Sequence, residues 1–200
     1  MIVLKITGFL LTSLAVGALL ALAGMVVHVP LGGLGAAALV AWAILARRRW
    51  ERLKASDGSD PGAPERMVWQ RLAGTAMVLA HLTTTLLNPA VDLHLGQGNY
   101  LAIDNWTLIL GTLISAFVFR ADRHERDERD DRIDARGTRW GYGVLIALLV
   151  ALLLYMGFAP RTWQTALTHW LLANALIAVI MASFVARQCV QLIGYIRDRP

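Results

Sequence analysis

Residues 6–46 read ITGFLLTSLAVGALLALAGMVVHVPLGGLGAAALVAWAILA, 41 positions without a single Asp, Glu, Lys or Arg. A helix that crosses a bilayer needs about 20 predominantly apolar residues. This run therefore holds two, with a turn at Val29-Pro30-Leu31-Gly32-Gly33. Backbone N–H and C=O groups in hydrocarbon find no water, so such segments must be helices. Four further uncharged runs follow, at 72–91, 105–119, 141–159 and 162–186. The run at 105–119 is short, so its helix is expected to start near Tyr100, leaving Asp104 and Asn105 among the outer headgroups. The expectation is an all-α, polytopic transmembrane helix bundle of six spans. A hydrophobic content of 56% and a mean hydropathy of +0.53 exclude an ordinary soluble domain of this length.

The first run also has the look of a signal peptide, with Lys5, an apolar stretch and Ala21-Leu22-Ala23 before Gly24. The apolar stretch continues to Val29 with no polar region, so the reading as a span is preferred.

Basic residues set the orientation. With the N-terminus, the 47–71 loop, the 120–139 loop and the C-terminus on one side, all but Arg161 of the 19 Lys and Arg fall there. That side is expected to be cytoplasmic, with both termini inside, in a bacterial inner membrane. Trp50, Trp69, Trp140, Tyr142 and Tyr195 then mark the inner interface, and Tyr100, Trp106, Tyr155, Trp163 and Trp170 the outer one. The pI of 10.0 is an insertion signature, suited to anionic lipid headgroups rather than to nucleic acid. Cys189 is the only cysteine, which excludes an intrachain disulfide.

Three parts follow: an N-terminal transmembrane hairpin (1–46), a cytoplasmic linker (47–66) containing the Gly-, Pro-, Ser- and Asp-rich stretch 55–64, and a four-helix unit (67–200). Gly8, Gly17, Ala21 and Gly24, then Gly35, Ala36 and Ala41, permit close backbone approach. They predict a tightly packed hairpin of the first two helices.

The four-helix unit contains the most organised segment. From Arg120 to Asp134 run five triplets of Arg, any residue, acid: RAD, RHE, RDE, RDD and RID. On a helix these set Asp122, Glu125 and Glu128 four residues before Arg126, Arg129 and Arg132, each pair worth about 0.2–0.5 kcal/mol. No Pro interrupts them. The spacing predicts a helical block continuous with the fourth span and broken near Gly137. Seven arginines and seven acids fill 120–139, so the block is neutral overall and a poor polyanion binder by composition. It reads either as a solvated spacer or as a docking surface for a cytoplasmic or sister subunit, with Arg126, Glu128, Arg129 and Arg132 as candidate contacts.

Asp127-Glu128-Arg129-Asp130, then Ile133, Arg136, Arg139 and Tyr142 before an apolar helix, resemble a family of uncharacterised prokaryotic small multi-span membrane proteins. In that family a D-E-R-D…I…R-x-x-R-x-x-Y loop joins two transmembrane helices. Gln191-Leu192-Ile193-Gly194-Tyr195-Ile196-Arg197 is similar to the end of that family's last helix, with Ile196 where an Arg is usual. The resemblance covers 67–199 and makes the first two helices an addition. It implies no activity and no catalytic residue; such proteins are often encoded beside small helix-turn-helix regulators.

Within the spans the polar residues that stand out are His81, Thr83, Thr84, Thr85 and Asn88 on the third helix and His169 and Asn174 on the sixth. His81, Thr84 or Thr85, and Asn88 share one face. Levels counted from Arg71 and Arg187 set Thr84 and Thr85 opposite Asn174, and Asn88 opposite His169, making the third and sixth helices antiparallel neighbours. Interhelical hydrogen bonding is the plain role of these groups. Two other classes use the same residues: a haem or metal redox protein with His81 and His169 as ligands, and a channel or carrier for a neutral solute. A site of His28, His94 and His169 follows no metal-ligand spacing. No phosphate-binding glycine loop or catalytic triad pattern is present, so neither catalytic residue nor cofactor is assigned. The reading preferred is a non-enzymatic membrane component, compatible with oligomerisation, whose partners are the lipid bilayer and a cytoplasmic or membrane protein.

Overall fold

A computed structural model describes residues 2–57, 62–88, 100–120, 127–160 and 168–198. Among them are six α-helices: α1 (Ile2–Val27), α2 (Gly32–Asp57), α3 (Ala63–Leu86), α4 (Tyr100–Arg120), α5 (Glu128–Phe158) and α6 (His169–Arg197). Local chemistry sets their ends. α1 stops where His28 turns left-handed at φ 55°, and Pro30 bars continuation. Pro64 occupies the first turn of α3, where its missing N–H costs nothing. Thr168 caps α6 by accepting from the Leu171 amide at 3.2 Å.

Four of these helices are long and apolar enough to cross a membrane, within Val3–Val27, Tyr100–Val118, Glu128–Phe158 and His169–Arg197. α2 and α3 fall below that standard for different reasons. In α2 the charge-free part ends at Arg47-Arg48-Arg49. α3 is the hub of the bundle, packed by α1, α4 and α6. Its surface meets protein rather than solvent or lipid, which lets it carry Gln70, Thr75, His81 and Thr85.

In the N-terminal part the main partners are not the neighbours in sequence. α1 lies on α3 and α2 on α4, whereas α1 and α2 scarcely touch. This corrects the expected tight N-terminal hairpin. Phe9 meets Trp69 edge-on at 4.9 Å, and Gly17 lies against the Met77 backbone, so α1 and α3 run parallel in step. On the second pair, Gly32 abuts Asp104 and Gly111 abuts Ala36, while the Arg47 guanidinium donates to the Val118 carbonyl at 2.8 Å. α2 and α4 are likewise parallel. The small residues are present as expected, but they chiefly serve α3 and α4 rather than a contact between α1 and α2.

The charged segment also differs from expectation. Asp127 is extended, and its carboxylate accepts from the Asp130 amide at 2.7 Å. Glu128, Asp130 and Asp131 then fill the first turn, where acids suit the positive end of the helix. The helix so started is α5, not an extension of α4, and it passes through Gly137 unbroken. Gly137 and Gly141 are the seats of α6: an added Cβ would meet the Arg187 carbonyl at 3.0 Å and the Ser183 carbonyl at 3.0 Å, respectively. Residues 121–126, including the candidate contact Arg126, lie outside the described residues.

Candidate functional site

Two polar regions stand out, one at each end of the bundle. At the end near the α1–α2 turn, His81, Thr85 and Asp104 are fully enclosed and Asn105 nearly so. His81 Nδ1 and Asn105 Oδ1 are 2.7 Å apart, and Asn105 Nδ2 donates weakly to Thr85 Oγ1 at 3.4 Å. These bonds join α3 to α4. The neighbouring Asp104 carboxylate turns the other way, toward the α1–α2 turn, and accepts from the Leu31 amide at 2.9 Å. It thereby caps α2 from another helix. Gly32 makes that approach feasible, since a Cβ there would sit 2.8 Å from Asp104 Oδ1. His81 Nε2 and Asp104 Oδ1 are buried without a protein hydrogen bond among the described residues.

The intramembrane polar residues named from the sequence are therefore not one cluster. His81 and Thr85 come together, but through Asn105 of α4. Asn88 instead donates to Met25 Sδ of α1 at 3.3 Å. Asn174 bonds back to the Trp170 carbonyl of its own helix at 2.9 Å, and Thr84 is half-buried. His169 is exposed beside Trp170 at the N-terminal end of α6. The pairings Thr84/Thr85–Asn174 and Asn88–His169 are thus overturned, because polar groups one turn from a helix end bond locally or to whichever helix is already packed there. Nor does the structure set His81 and His169 as matched ligands, since one is enclosed and bonded while the other is exposed. No group of three or more metal-ligating side chains occurs among the described residues.

α3 and α6 are nevertheless packed together. Their polar link lies toward the opposite end of the bundle, where Thr75 Oγ1 donates to Gln188 Oε1 at 2.6 Å. This pair escaped the sequence reading because Gln188 follows Arg187, beyond the uncharged run. Asn105 escaped it as the first residue of a run taken to begin at the headgroups.

The opposite end of the bundle holds the second region. Asp134 of α5 accepts from Arg187 at 2.6 Å and from Gln191 at 2.7 Å, both on α6. Arg129 Nη2 donates to the Tyr195 carbonyl at 3.1 Å, and Ile133 packs with Leu72, Leu192 and Tyr195. Of the docking candidates, Arg129 is thus partly committed to α6, while Glu128 and Arg132 remain exposed. Asp131, Arg136 and Arg139 are exposed with them. Between α3, α4 and α6 a crevice of about 550 Å³ opens beside this region. Thr75, Gln188 and Gln191 form its polar floor, and Leu113, Phe117 and Phe184 its exposed apolar rim. No protein-family model, curated protein or solved structure matches this chain.

Proposed function

We propose that this chain is a non-enzymatic integral protein of a bacterial inner membrane, with six spans and both termini cytoplasmic. In this reading the inner end of α5 presents a docking face to another protein. α2 and α3 cross the membrane with the four more apolar helices because α3 is sheathed by its neighbours. The distribution of basic residues supports the orientation. The family resemblance of the segment from Asp127 to Tyr142 belongs to the same proposal and adds no chemistry.

The observation that carries the docking role is the rigid mounting of an exposed charged face. From Trp140 to Phe158 α5 spans about 28 Å at 1.5 Å per residue, close to a hydrocarbon core. The turns from Glu128 to Arg139 therefore project beyond the membrane. Asp134, Ile133 and Gly137 clamp them to α6, while Glu128, Asp131 and Arg139 face outward. A face already held in place loses little conformational freedom on binding. Photocrosslinking side chains placed at Asp131 and Arg139 in native membranes test this. One protein adduct of constant mass at both positions is expected, and the adduct from position 139 is lost when Glu128 and Asp131 are both replaced by Lys. Adducts to lipid alone, or none, would reject the role.

A further inference from the structure

In the sequence the arginines and acids of the charged segment alternate and cancel, yet the fold sorts them. Arg129, Arg132 and Arg136 fall at i, i+3 and i+7, on one face of α5. They line a cleft of about 350 Å³ closed by α6, with Gly194 and Asp198 in its opposite wall. The acids that alternate with them point elsewhere. Asp130 is buried, and Asp134 is held by Arg187 and Gln191. Three guanidinium groups thus share a cleft in which, among the described residues, Asp198 is the one carboxylate.

Their donors are largely unspent. A guanidinium carries five N–H groups. Arg129 uses one on the Tyr195 carbonyl, and Arg132 uses one on the Glu128 carbonyl at 3.3 Å. Arg129 Nε is buried and has no protein partner among the described residues, a costly state for a charged donor. Gly194 leaves the floor open, and Ile133 would stand 3.1 Å from any Cβ there.

We propose that this cleft is a binding site for a phosphate group. Planar guanidinium forks match phosphate oxygens in pairs, and convergence of three of them selects an anion over a neutral ligand. The phosphate is carried by an inner-leaflet anionic lipid or by a small soluble phosphate. Both sources are reachable, because Arg136 lies about 6 Å below Trp140 and Arg129 about 16 Å below it, at 1.5 Å per residue.

Titration calorimetry on the full chain in neutral detergent distinguishes these sources. The probes are inorganic phosphate, dioctanoyl phosphatidic acid and dioctanoyl phosphatidylcholine. One saturable site per chain is expected, weakened at least tenfold in Arg132→Gln/Arg136→Gln and within twofold of the parent in Arg48→Gln, an exposed arginine on α2. Binding of phosphatidic acid alone assigns a lipid headgroup; binding of both phosphatidic acid and inorganic phosphate assigns a soluble phosphate. If the double Gln variant does not fold, Arg132→Lys/Arg136→Lys replaces it, with the same tenfold loss expected from the broken paired geometry. Absence of a saturable site, equal affinity for phosphatidylcholine, or equal loss in Arg48→Gln overturns the proposal.

Discussion

Gly17→Ala tests the parallel packing of α1 on α3. A Cβ at Gly17 would press on the Met77 carbonyl oxygen, with the Met77 carbonyl carbon 2.9 Å away and its Cα 3.0 Å away. All three atoms are backbone, so no rotamer change relieves the overlap and the helices must move apart. Such overpacking costs about 1–3 kcal/mol. Against it stands the gain of exchanging Gly for Ala in a helix, about 0.5–1 kcal/mol. Gly8 on the same helix has nothing within 4 Å of its added Cβ, so Gly8→Ala collects the gain without the clash. The two variants should therefore differ by about 1–3 kcal/mol, a difference in which the propensity term cancels. Reversible unfolding by dodecyl sulfate in mixed micelles, followed by helical circular dichroism, measures it. Equal midpoints for Gly8→Ala and Gly17→Ala would refute the α1–α3 contact. Destabilisation by Gly8→Ala alone would place α1 on a different partner.

Cysteines at Thr75 and Gln188, in a Cys189→Ser background, should crosslink readily in membranes, whereas cysteines at Thr84 and Asn174 should not. The reverse result would restore the pairing expected from helix levels. Asp104→Ala leaves the Leu31 amide without its partner and should destabilise the chain by about 1–3 kcal/mol in the same unfolding assay. Asp104→Asn, which keeps an acceptor oxygen, should lose less, and a fully stable Ala variant would remove the capping role. Asp134→Ala breaks contacts to Arg187 and Gln191 that are still partly exposed, and a loss of about 1–2 kcal/mol is expected after allowance for solvent screening. Reporter fusions at Leu95 and Arg126 should lie on opposite sides of the membrane; a shared side would reject the six-span topology.

Helix formation and the apolar character of α1, α4, α5 and α6 were legible from residues alone. An uncharged run of this length has one way to satisfy its backbone in hydrocarbon, whatever surrounds it. α3 and α6 are neighbours as expected, but not through the polar groups that suggested it; Thr75 and Gln188 make the link instead. The particular partners were not legible. Gly17 and Gly35 announce close approach without naming what approaches, and the fold gave them Met77 and Leu108 rather than each other. The start of α5 could have been read from Asp127 and the acids that follow it, had Gly137 not suggested a break. Only the packed seam with α6 makes that glycine a contact instead. The charged segment makes the same point for the candidate site. Its composition is neutral, but burial of Asp130 and capture of Asp134 leave Arg129, Arg132 and Arg136 facing one cleft. Local sequence settles what a segment can do with its own backbone and with the bilayer. Which side chains meet depends on the register between helices distant in the chain, and that is settled by packing and hydrogen bonding across the whole bundle.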